Sequence, residues 1–468
     1  MTAEAPVVDD PPFQPAAVAP PAQPWPGAGS AWWCVVMLST VLMLSQIDRN
    51  IITLLVAPIK RDLNLTDVEV SLLMGPAFIL LYVFMGLPLS RLTDTRSRRV
   101  IITCGLAFWS LATAACGLAH SFGQLFVARM GIGAGESVNG PATYSLLADN
   151  FPRERLPRAL AVLNIGFVLG GGFSLVAGGL IIGALAAAPD HHLPLVGAVR
   201  SWQLVFITVG LPGLIFAALM MTVREPPRRG LAGGRPKAPP VREVVAFLRG
   251  NWKLYGSMIG GIAITSLLTT GVQSWGPTFY QRTFGWSPRQ VGVVSGTVAL
   301  IASPIGLFLG AWLTERLNRK HDDANLRVAM LAYLIALPFQ VAGPLMPSPW
   351  LAVGCTGVGT LSAMMATTPF VAAMQAVTPN QMRAQISALY LFVFSGIGGG
   401  LGSLLFGAIT DYVVRDEDNI RYTLAGTAAV MAPLALLVIS GARKPYGRAV
   451  AAIKAAEAAV ASGPIPTH

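Results

Sequence analysis

Residues 92–99 read Leu-Thr-Asp-Thr-Arg-Ser-Arg-Arg, and residues 313–320, which lie 221 positions later, read Leu-Thr-Glu-Arg-Leu-Asn-Arg-Lys. The same offset pairs residues 66–69, Thr-Asp-Val-Glu, with residues 287–290, Ser-Pro-Arg-Gln. Both four-residue pieces have the pattern of a capping box, in which a hydroxyl side chain caps a helix and Glu or Gln follows three residues later. The two halves of the chain therefore repeat each other.

The composition places these repeats in a membrane. Of 468 residues, 53% are hydrophobic and only 12% are charged. A soluble domain carries about 25% charged residues, so the composition argues against a soluble enzyme, a nucleic-acid-binding factor and a disordered protein. Apolar runs that can cross about 30 Å of hydrocarbon as a helix occur repeatedly. The twelve predicted spans, numbered 1 to 12, are 31–57, 70–90, 100–119, 122–147, 157–185, 201–222, 254–280, 290–313, 327–346, 350–376, 384–410 and 422–440.

The basic residues predict the orientation of these spans. Twelve spans place both termini on one side. If that side is the cytosol, 24 of the 33 basic residues lie in cytosolic segments and 7 lie in outer loops, as the positive-inside rule expects. The predicted segments are a disordered cytosolic tail at 1–30, a six-helix half at 31–222, a cytosolic loop at 223–253, a second six-helix half at 254–441 and a cytosolic C-terminal tail at 442–468.

Four ionisable residues lie well inside the predicted spans: Asp48 and Arg49 on span 1, and Arg129 and Glu136 on span 4. Each unpaired charge costs about 2.5–3.5 kcal/mol at a helix centre, so these side chains must pair or face water. At about 1.5 Å per residue, Asp48 lies roughly 13 Å and Arg129 roughly 10 Å from the outer ends of their helices. A pair between Asp48 and Arg129 is therefore geometrically allowed, with Glu136 two turns deeper.

This polar track has two interpretations. In the first, Arg49 or Arg129 holds an anionic group of a substrate, because guanidinium suits phosphate and carboxylate. Glu136 or Asp48 then carries a proton, because a surrounding of low dielectric favours the neutral form of a carboxylate. In the second, the charges form a static ion pair that locks span 1 to span 4.

The second half of the chain has no comparable charges. Its spans offer uncharged polar side chains instead, of which we assign Gln273 and Thr360 to the substrate site. Hydrogen bonding between helices is the alternative role for such side chains. A cavity that is charged on one wall and neutral on the other suits an amphiphile better than a small, highly charged solute.

The loop after span 2 contains Asp94 and Arg98, four residues apart. We assign them to a cytosolic gate in which Asp94 pairs across the bundle in one state and releases in the other. The alternative is a basic loop that only sets topology. The four Cys and five His show no metal-ligand spacing, so we expect no metal and no cofactor other than a coupling proton.

Residues 92–99 resemble the signature loop between helices 2 and 3 of the major facilitator superfamily, although Ser97 stands where Gly is expected. Residues 129–136, Arg-Met-Gly-Ile-Gly-Ala-Gly-Glu, resemble its helix 4 motif, whose Arg is tied to proton coupling. Together with Asp48-Arg49 and residues 378–384, they resemble the Spinster group, here a bacterial member. The resemblance implies an all-α membrane fold of twelve helices in two parallel six-helix repeats. It also implies that the four intramembrane charges form the substrate and coupling site.

Spinster proteins of animals are linked to export of sphingosine-1-phosphate and lysophospholipids, with proton coupling proposed. We therefore expect a transporter, not an enzyme, that moves an organic anion such as a lysolipid or sphingolipid by proton-coupled alternating access. We expect a monomer in the bacterial inner membrane, with the substrate and the bilayer as partners and no nucleic acid. Two alternatives stay open. One is a proton symporter for sugar acids or aromatic acids, and the other is a membrane sensor without transport.

Overall fold

The structure is a computed structural model that describes residues 24–152, 154–185, 190–193, 197–228 and 239–461. Helices follow the predicted spans throughout this part of the chain. The first half contains span 1 at Ala28–Leu54, span 2 at Asp67–Met74 and Pro76–Thr95, span 3 at Arg98–Cys116, span 4 at Phe122–Glu136 and Asn139–Asn150, span 5 at Leu156–Leu185 and span 6 at Ser201–Met220. A short helix, Val56–Leu63, follows span 1, and two antiparallel strands, Asp190–Leu193 and Gly197–Arg200, precede span 6.

The second half has the same helical order. It contains span 7 at Trp252–Phe284, span 8 at Pro288–Asn318, span 9 at Ala324–Ala342, span 10 at Pro349–Ala376, span 11 at Arg383–Val414 and span 12 at Ile420–Ala461. Span 11 is wound as π-helix at Phe392–Gly399 and again at Ile409–Val414. A short helix, Val241–Gly250, lies in the loop between the halves. Span 12 continues past residue 441 into the predicted C-terminal tail, and most of the predicted N-terminal tail lies outside the described residues.

Eleven helices in the described residues are long and apolar enough to cross a membrane. The predicted span 4 is the twelfth crossing, and it is divided into pieces of 15 and 12 residues. The division falls at Ser137 and Val138. Each piece is shorter than a membrane-spanning helix, but the two follow one another between spans 3 and 5. The all-helical fold of twelve spans thus agrees with the prediction. We call the end of the bundle that carries both termini the inner end and the opposite end the outer end.

Both predicted capping boxes are present at the outer end. Thr66 Oγ1 accepts a hydrogen bond from the Glu69 N–H at 3.2 Å, and the Thr66 N–H donates to Glu69 Oε2 at 2.8 Å. Ser287 and Gln290 repeat this arrangement at 3.3 Å and 3.0 Å. These reciprocal bonds satisfy backbone donors at the starts of spans 2 and 8. Equivalent sequence pieces therefore begin equivalent helices in the two halves.

The two halves pack through glycines and serines. A Cβ on Gly172 of span 5 would lie 2.8 Å from the carbonyl oxygen of Gly296 on span 8, so only glycine permits this approach. Spans 2 and 11 meet through Ser71 and Ser403, whose hydroxyls donate to each other's carbonyl oxygens at 3.0 Å and 3.2 Å. Both contacts lie towards the outer end. They join the halves along two seams and leave the site between spans 1 and 4 at the centre of the bundle.

Ion pairs also join the two halves at the outer end. Asp67, at the start of span 2, is fully buried and accepts hydrogen bonds from both Nη atoms of Arg282 on span 7, at 2.7 Å and 2.8 Å. Lys60 donates to the same carboxylate at 2.7 Å and also pairs with Glu417 at 2.5 Å. Asp411 of span 11 accepts from the Val68 N–H at 2.7 Å. We call this group the outer latch: Lys60, Asp67, Arg282, Asp411 and Glu417.

Candidate functional site

A salt bridge between span 1 and span 4 forms the centre of the site. Glu136 Oε2 accepts three hydrogen bonds, from Arg49 Nε at 2.8 Å, from Arg49 Nη2 at 2.6 Å and from the Ser45 hydroxyl at 2.6 Å. Glu136 Oε1 is buried and has no hydrogen-bond partner among the described residues. The pairing thus uses one oxygen of the carboxylate and leaves the other without a donor.

Arg49 and Glu136 differ in their access to solvent. The side chain of Arg49 is 34% exposed, whereas that of Glu136 is 1% exposed. The Arg49 guanidinium carbon lies 4.4 Å from the ring centroid of Phe78 and 5.2 Å from that of Tyr82, both on span 2. Such cation–π contacts hold a guanidinium in place without neutralising it. Arg49 is therefore a fixed, partly accessible cation, and Glu136 is its buried counter-ion.

Asp48 and Arg129 do not form the ion pair that their depths allow. Arg129 is 1% exposed and donates from Nη1 to the backbone carbonyl oxygen of Asp48 at 2.8 Å. Its Nε donates to the carbonyl oxygen of Leu73 on span 2 at 3.2 Å. Arg129 thus ties span 4 to the backbones of spans 1 and 2. The sequence allowed an ion pair between Asp48 and Arg129, but in the described structure the salt bridge between spans 1 and 4 joins Arg49 to Glu136.

The Asp48 carboxylate lies in a separate, sealed position. Asp48 is 4% exposed, and its Oδ1 has no hydrogen-bond partner within the described part of the chain. The Thr113 hydroxyl and the Trp109 indole, both on span 3, face this carboxylate. Neither of these buried polar atoms makes a hydrogen bond of normal geometry in the described structure. Asp48 therefore has polar neighbours without a fixed network.

Glycines on span 4 permit this crowding. A Cβ on Gly133 would lie 2.0 Å from the carbonyl oxygen of Phe78, so span 4 packs directly on the backbone of span 2. A Cβ on Gly135 would lie 3.0 Å from the carbonyl oxygen of Gly105 and 2.9 Å from the amide nitrogen of Trp109 on span 3. The Gly-x-Gly-x-Gly pattern is thus a packing device that brings three helices around the charged residues.

Among the described residues, no hydrogen bond joins the two predicted residues of the second half to this cluster. Gln273 is exposed and Thr360 is half-buried. Gln281, eight residues after Gln273 on the same helix, donates to the Leu54 carbonyl oxygen of span 1 at 3.3 Å, so the outer part of span 7 contacts span 1. Thr360 lies one turn from Thr356, whose hydroxyl hydrogen-bonds with Tyr280 of span 7 at 2.8 Å. Their contact with substrate stays a prediction.

Arg98 of the predicted gate is buried within the first half. Its Nε donates to Glu225 Oε1 at 2.8 Å, and its Nη1 pairs with Asp149 of span 4. Glu225 also accepts from the Arg99 N–H at 2.8 Å. Burial alone would raise the pKa of Glu225, but these donors outweigh it and hold that pKa below its ordinary value. The side chain of Asp94 lies outside the described residues, so its pairing across the bundle stays a prediction.

Several residues of these networks carry no distinctive sequence signal. Ser45 lies one turn before Arg49 on span 1, and its hydroxyl could have been found only by asking which side chains share the Arg49 face. Asp149 and Glu225 lie near span ends, where charges are ordinary. In the described part of the chain, no three His, Cys, Asp or Glu side chains come together as a metal site.

Comparison with known families identifies the fold that holds this salt bridge. Residues 38–403 match the Major Facilitator Superfamily. The chain belongs to the Major Facilitator Superfamily. It is a membrane transporter and not an enzyme.

Relatives within the superfamily point to two named groups. The chain is 27% identical over 395 residues to an MFS-type efflux pump of Mycolicibacterium smegmatis, covering 83% of this chain and 87% of that protein. It is 22% identical over 403 residues to Protein spinster of Drosophila melanogaster, covering 82% of this chain and 63% of that protein. The chain thus spans less than two thirds of the length of this Spinster relative.

Solved structures share the fold. A bacterial homologue of the human lysosomal transporter Spinster, in an inward-facing and unoccupied conformation, superposes with a TM-score of 0.74 at 23% identity, covering 91% of this chain and 98% of that one. A D-xylose–proton symporter superposes with a TM-score of 0.63 at 15% identity, covering 86% of this chain and 97% of that one. The resemblance to the Spinster group in the sequence therefore extends to the architecture.

Proposed function

We propose that this superfamily member is a proton-coupled transporter of an organic anion, in which Arg49 binds the anion and Glu136 binds the proton. The observation that carries this proposal is the unequal burial of the pair, with Arg49 34% exposed and Glu136 1% exposed. A substrate anion can reach the guanidinium, whereas solvent does not reach its present counter-ion. Arg49 is therefore the position at which a substrate anion replaces the Glu136 carboxylate.

The exchange links the substrate to the proton. When an anion displaces Glu136 from Arg49, the carboxylate remains buried without its cation. An unpaired charge in that position is costly, so Glu136 takes up a proton as the anion binds. Anion binding at Arg49 and proton binding at Glu136 then favour each other. The proposal predicts that the affinity for the anion rises as the pH falls.

The proposed substrate is a lysolipid or sphingolipid-like amphiphile. The charged residues of the site lie on spans 1 and 4, and Gln273 and Thr360 offer only uncharged polar groups from spans 7 and 10. Such a cavity suits a molecule with one charged end and one apolar end. The relatives support a role in transport, since one is a bacterial homologue of a lysosomal transporter and another is an MFS-type efflux pump.

The remaining assignments belong to the same proposal. Asp48 assists proton binding, Arg129 positions the backbone of span 1, and Asp94 with Arg98 closes the inner end in the opposite state. The transporter is a monomer in the bacterial inner membrane, with both termini in the cytoplasm. Under this orientation, the outer latch closes the site from the outside and the conformation is inward-facing.

An uptake panel tests the substrate class. Proteoliposomes would be offered a lysophospholipid, sphingosine-1-phosphate, glucuronate and an aromatic acid at two pH values. We expect uptake of the lipids, stronger at the lower pH, and its loss in Arg49→Gln. Arg61→Gln is the matched control because the Arg61 side chain is 81% exposed and lies outside the site.

The alternatives predict other results on the same panel. Uptake of glucuronate or the aromatic acid without the lipids would replace the amphiphile by a small organic acid, for which the structural resemblance to a D-xylose–proton symporter is the supporting observation. Absence of counterflow with every solute would favour a membrane sensor and contradict transport of these anions.

A further inference from the structure

We infer that Thr113 and Trp109 on span 3 are positioning residues that set the proton affinity of Asp48. This inference deepens the proposed coupling site and rests on the proposed proton coupling. It concerns a group of three side chains that the exchange at Arg49 does not use.

The three side chains form one buried polar group. Trp109 and Thr113 are each 0% exposed, and Asp48 is 4% exposed. Trp109 and Thr113 are four residues apart, so they lie on one face of span 3. Within the described structure, Asp48 Oδ1, Trp109 Nε1 and Thr113 Oγ1 are all buried without a hydrogen-bond partner. Buried polar atoms are normally paired, and the Thr113 hydroxyl and the Trp109 indole both lie beside the Asp48 carboxylate, so we treat the three unpaired atoms as one group.

The close packing of span 3 against span 4 holds this group in place. A Cβ on Gly135 of span 4 would lie 2.8 Å from the Trp109 Cβ and 2.9 Å from the Trp109 amide nitrogen, so there is no room for one. Span 3 therefore approaches the centre of the bundle more closely than a larger residue would permit. Its Trp109 and Thr113 side chains lie beside the Asp48 carboxylate.

The chemistry of the two partners differs. An indole N–H is a donor only, whereas a hydroxyl donates and accepts. Trp109 can therefore bond only to the ionised carboxylate or to a carbonyl-type oxygen of the acid. Thr113 can donate to the carboxylate and can accept from the protonated acid. Hydrogen bonds to an ionised acceptor are roughly twice as strong as neutral ones, so both partners favour the ionised form on balance.

Other titratable groups also lie near Asp48. Glu136 and Arg129 lie on span 4, Arg49 is its neighbour on span 1, and the Cys116 thiol lies on span 3. Glu136 opposes the ionised form and the arginines favour it. These groups act through charge at a distance, whereas Thr113 and Trp109 can contact the carboxylate directly. The removal of one hydroxyl therefore changes the protonation of Asp48 without a change in net charge.

Infrared titration tests this inference without a substrate. The band of a protonated carboxyl is assigned to Asp48 by its loss in Asp48→Asn, and its pH midpoint is measured in the full-length protein in lipid. In Thr113→Val we expect the midpoint to move upward by about 0.5–1 pH unit, because the ionised carboxylate loses the donor that we assign to it. Trp109→Phe should move it in the same direction, and Thr113→Ser should restore it.

Thr103→Val is the matched control. Thr103 also has a buried hydroxyl without a partner in the described structure, but it lies on span 3 about 15 Å from Thr113 along the axis. The pH midpoint of the Asp48 band in Thr103→Val should equal that of the parent protein. An unchanged midpoint in both Thr113→Val and Trp109→Phe, with the Asp48 band present, would overturn the inference. Failure of the proposed function is a separate result, namely transport by the parent protein that does not depend on pH, whatever the midpoint of the Asp48 band.

Discussion

Arg129 and Arg49 have the same side chain but opposite surroundings. Arg129 is 1% exposed and donates to the backbone carbonyl oxygens of Asp48 and Leu73. Arg49 is 34% exposed and pairs with a carboxylate. The first residue holds three helices together, and the second is available to a ligand. At the scale of single residues, burial and bonding partners therefore distinguish a buried arginine that holds helix backbones from a partly exposed arginine, to which we assign the substrate anion.

This difference predicts the effect of removing Arg129. In Arg129→Gln, two buried carbonyl oxygens lose charged donors, and we expect the stability to fall by about 2 kcal/mol or more. Thermal melting of the purified protein in detergent measures this loss. Arg61→Gln, at an exposed position, should melt like the parent. An Arg129→Gln protein with parental melting would show that these two hydrogen bonds contribute little.

The sequence predicts which charged residues lie at the same depth in the bundle, but not which of them form ion pairs. Depth along a helix follows from residue count, and it places Asp48 and Arg129 close together. Direction around the axis does not follow from depth, because Asp48 and Arg49 are neighbours that point about 100° apart. Only the packing of span 4 decides that Arg49 faces Glu136. For the same reason, the sequence does not identify Ser45, Trp109 and Thr113 as site residues. A hydroxyl or indole in an apolar helix is usually a packing residue.

At the scale of helices, span 4 is divided near its middle. It ends its first piece at Glu136, immediately before the interruption at Ser137 and Val138. The glycines that precede Glu136 fit between spans 2 and 3 with no space for a Cβ at Gly133 and Gly135. The twelve spans follow from the length of the apolar runs, but this interruption does not, because it depends on neighbouring helices.

The glycine packing makes a prediction with a control on the same helix. Gly133→Ala would place a Cβ 2.0 Å from the Phe78 carbonyl oxygen, so span 4 must shift at a cost of about 1–3 kcal/mol. Gly123→Ala meets nothing within 4 Å and should be neutral or slightly stabilising, because alanine favours a helix. The melting temperature and the rate of uptake should both fall in Gly133→Ala, and neither should fall in Gly123→Ala. Equal behaviour of the two variants would contradict the close contact.

At the scale of the whole molecule, the halves are joined at the outer end by the latch and by the seams of spans 2–11 and 5–8. Asp67 is fully buried between Lys60 of its own half and Arg282 of the other half. Alternating access requires the Arg282 contact to break when the outer end opens. The latch was not visible in the sequence, because its members lie up to 357 positions apart and are ordinary loop and helix-end charges.

Removal of Arg282 should favour opening of the outer end. In Arg282→Gln, we expect amide hydrogen exchange at residues 66–75 and 409–415 to accelerate by about tenfold, which corresponds to about 1.4 kcal/mol of opening free energy. Arg415→Gln is the control, because within the described part of the chain the Arg415 side chain donates locally, to the carbonyl oxygen of Tyr412 at the end of span 11, and not across the halves. Unchanged exchange in Arg282→Gln would show that the glycine and serine seams close the outer end without the latch.

The most direct test of the account is transport by Glu136→Gln in proteoliposomes with an imposed pH gradient. Glutamine keeps the size of the side chain and can still accept from Arg49, but it cannot bind or release a proton. The account predicts a folded protein with parental melting whose lipid uptake no longer responds to the gradient. Parental uptake and parental response to the gradient in Glu136→Gln would contradict proton coupling at this residue.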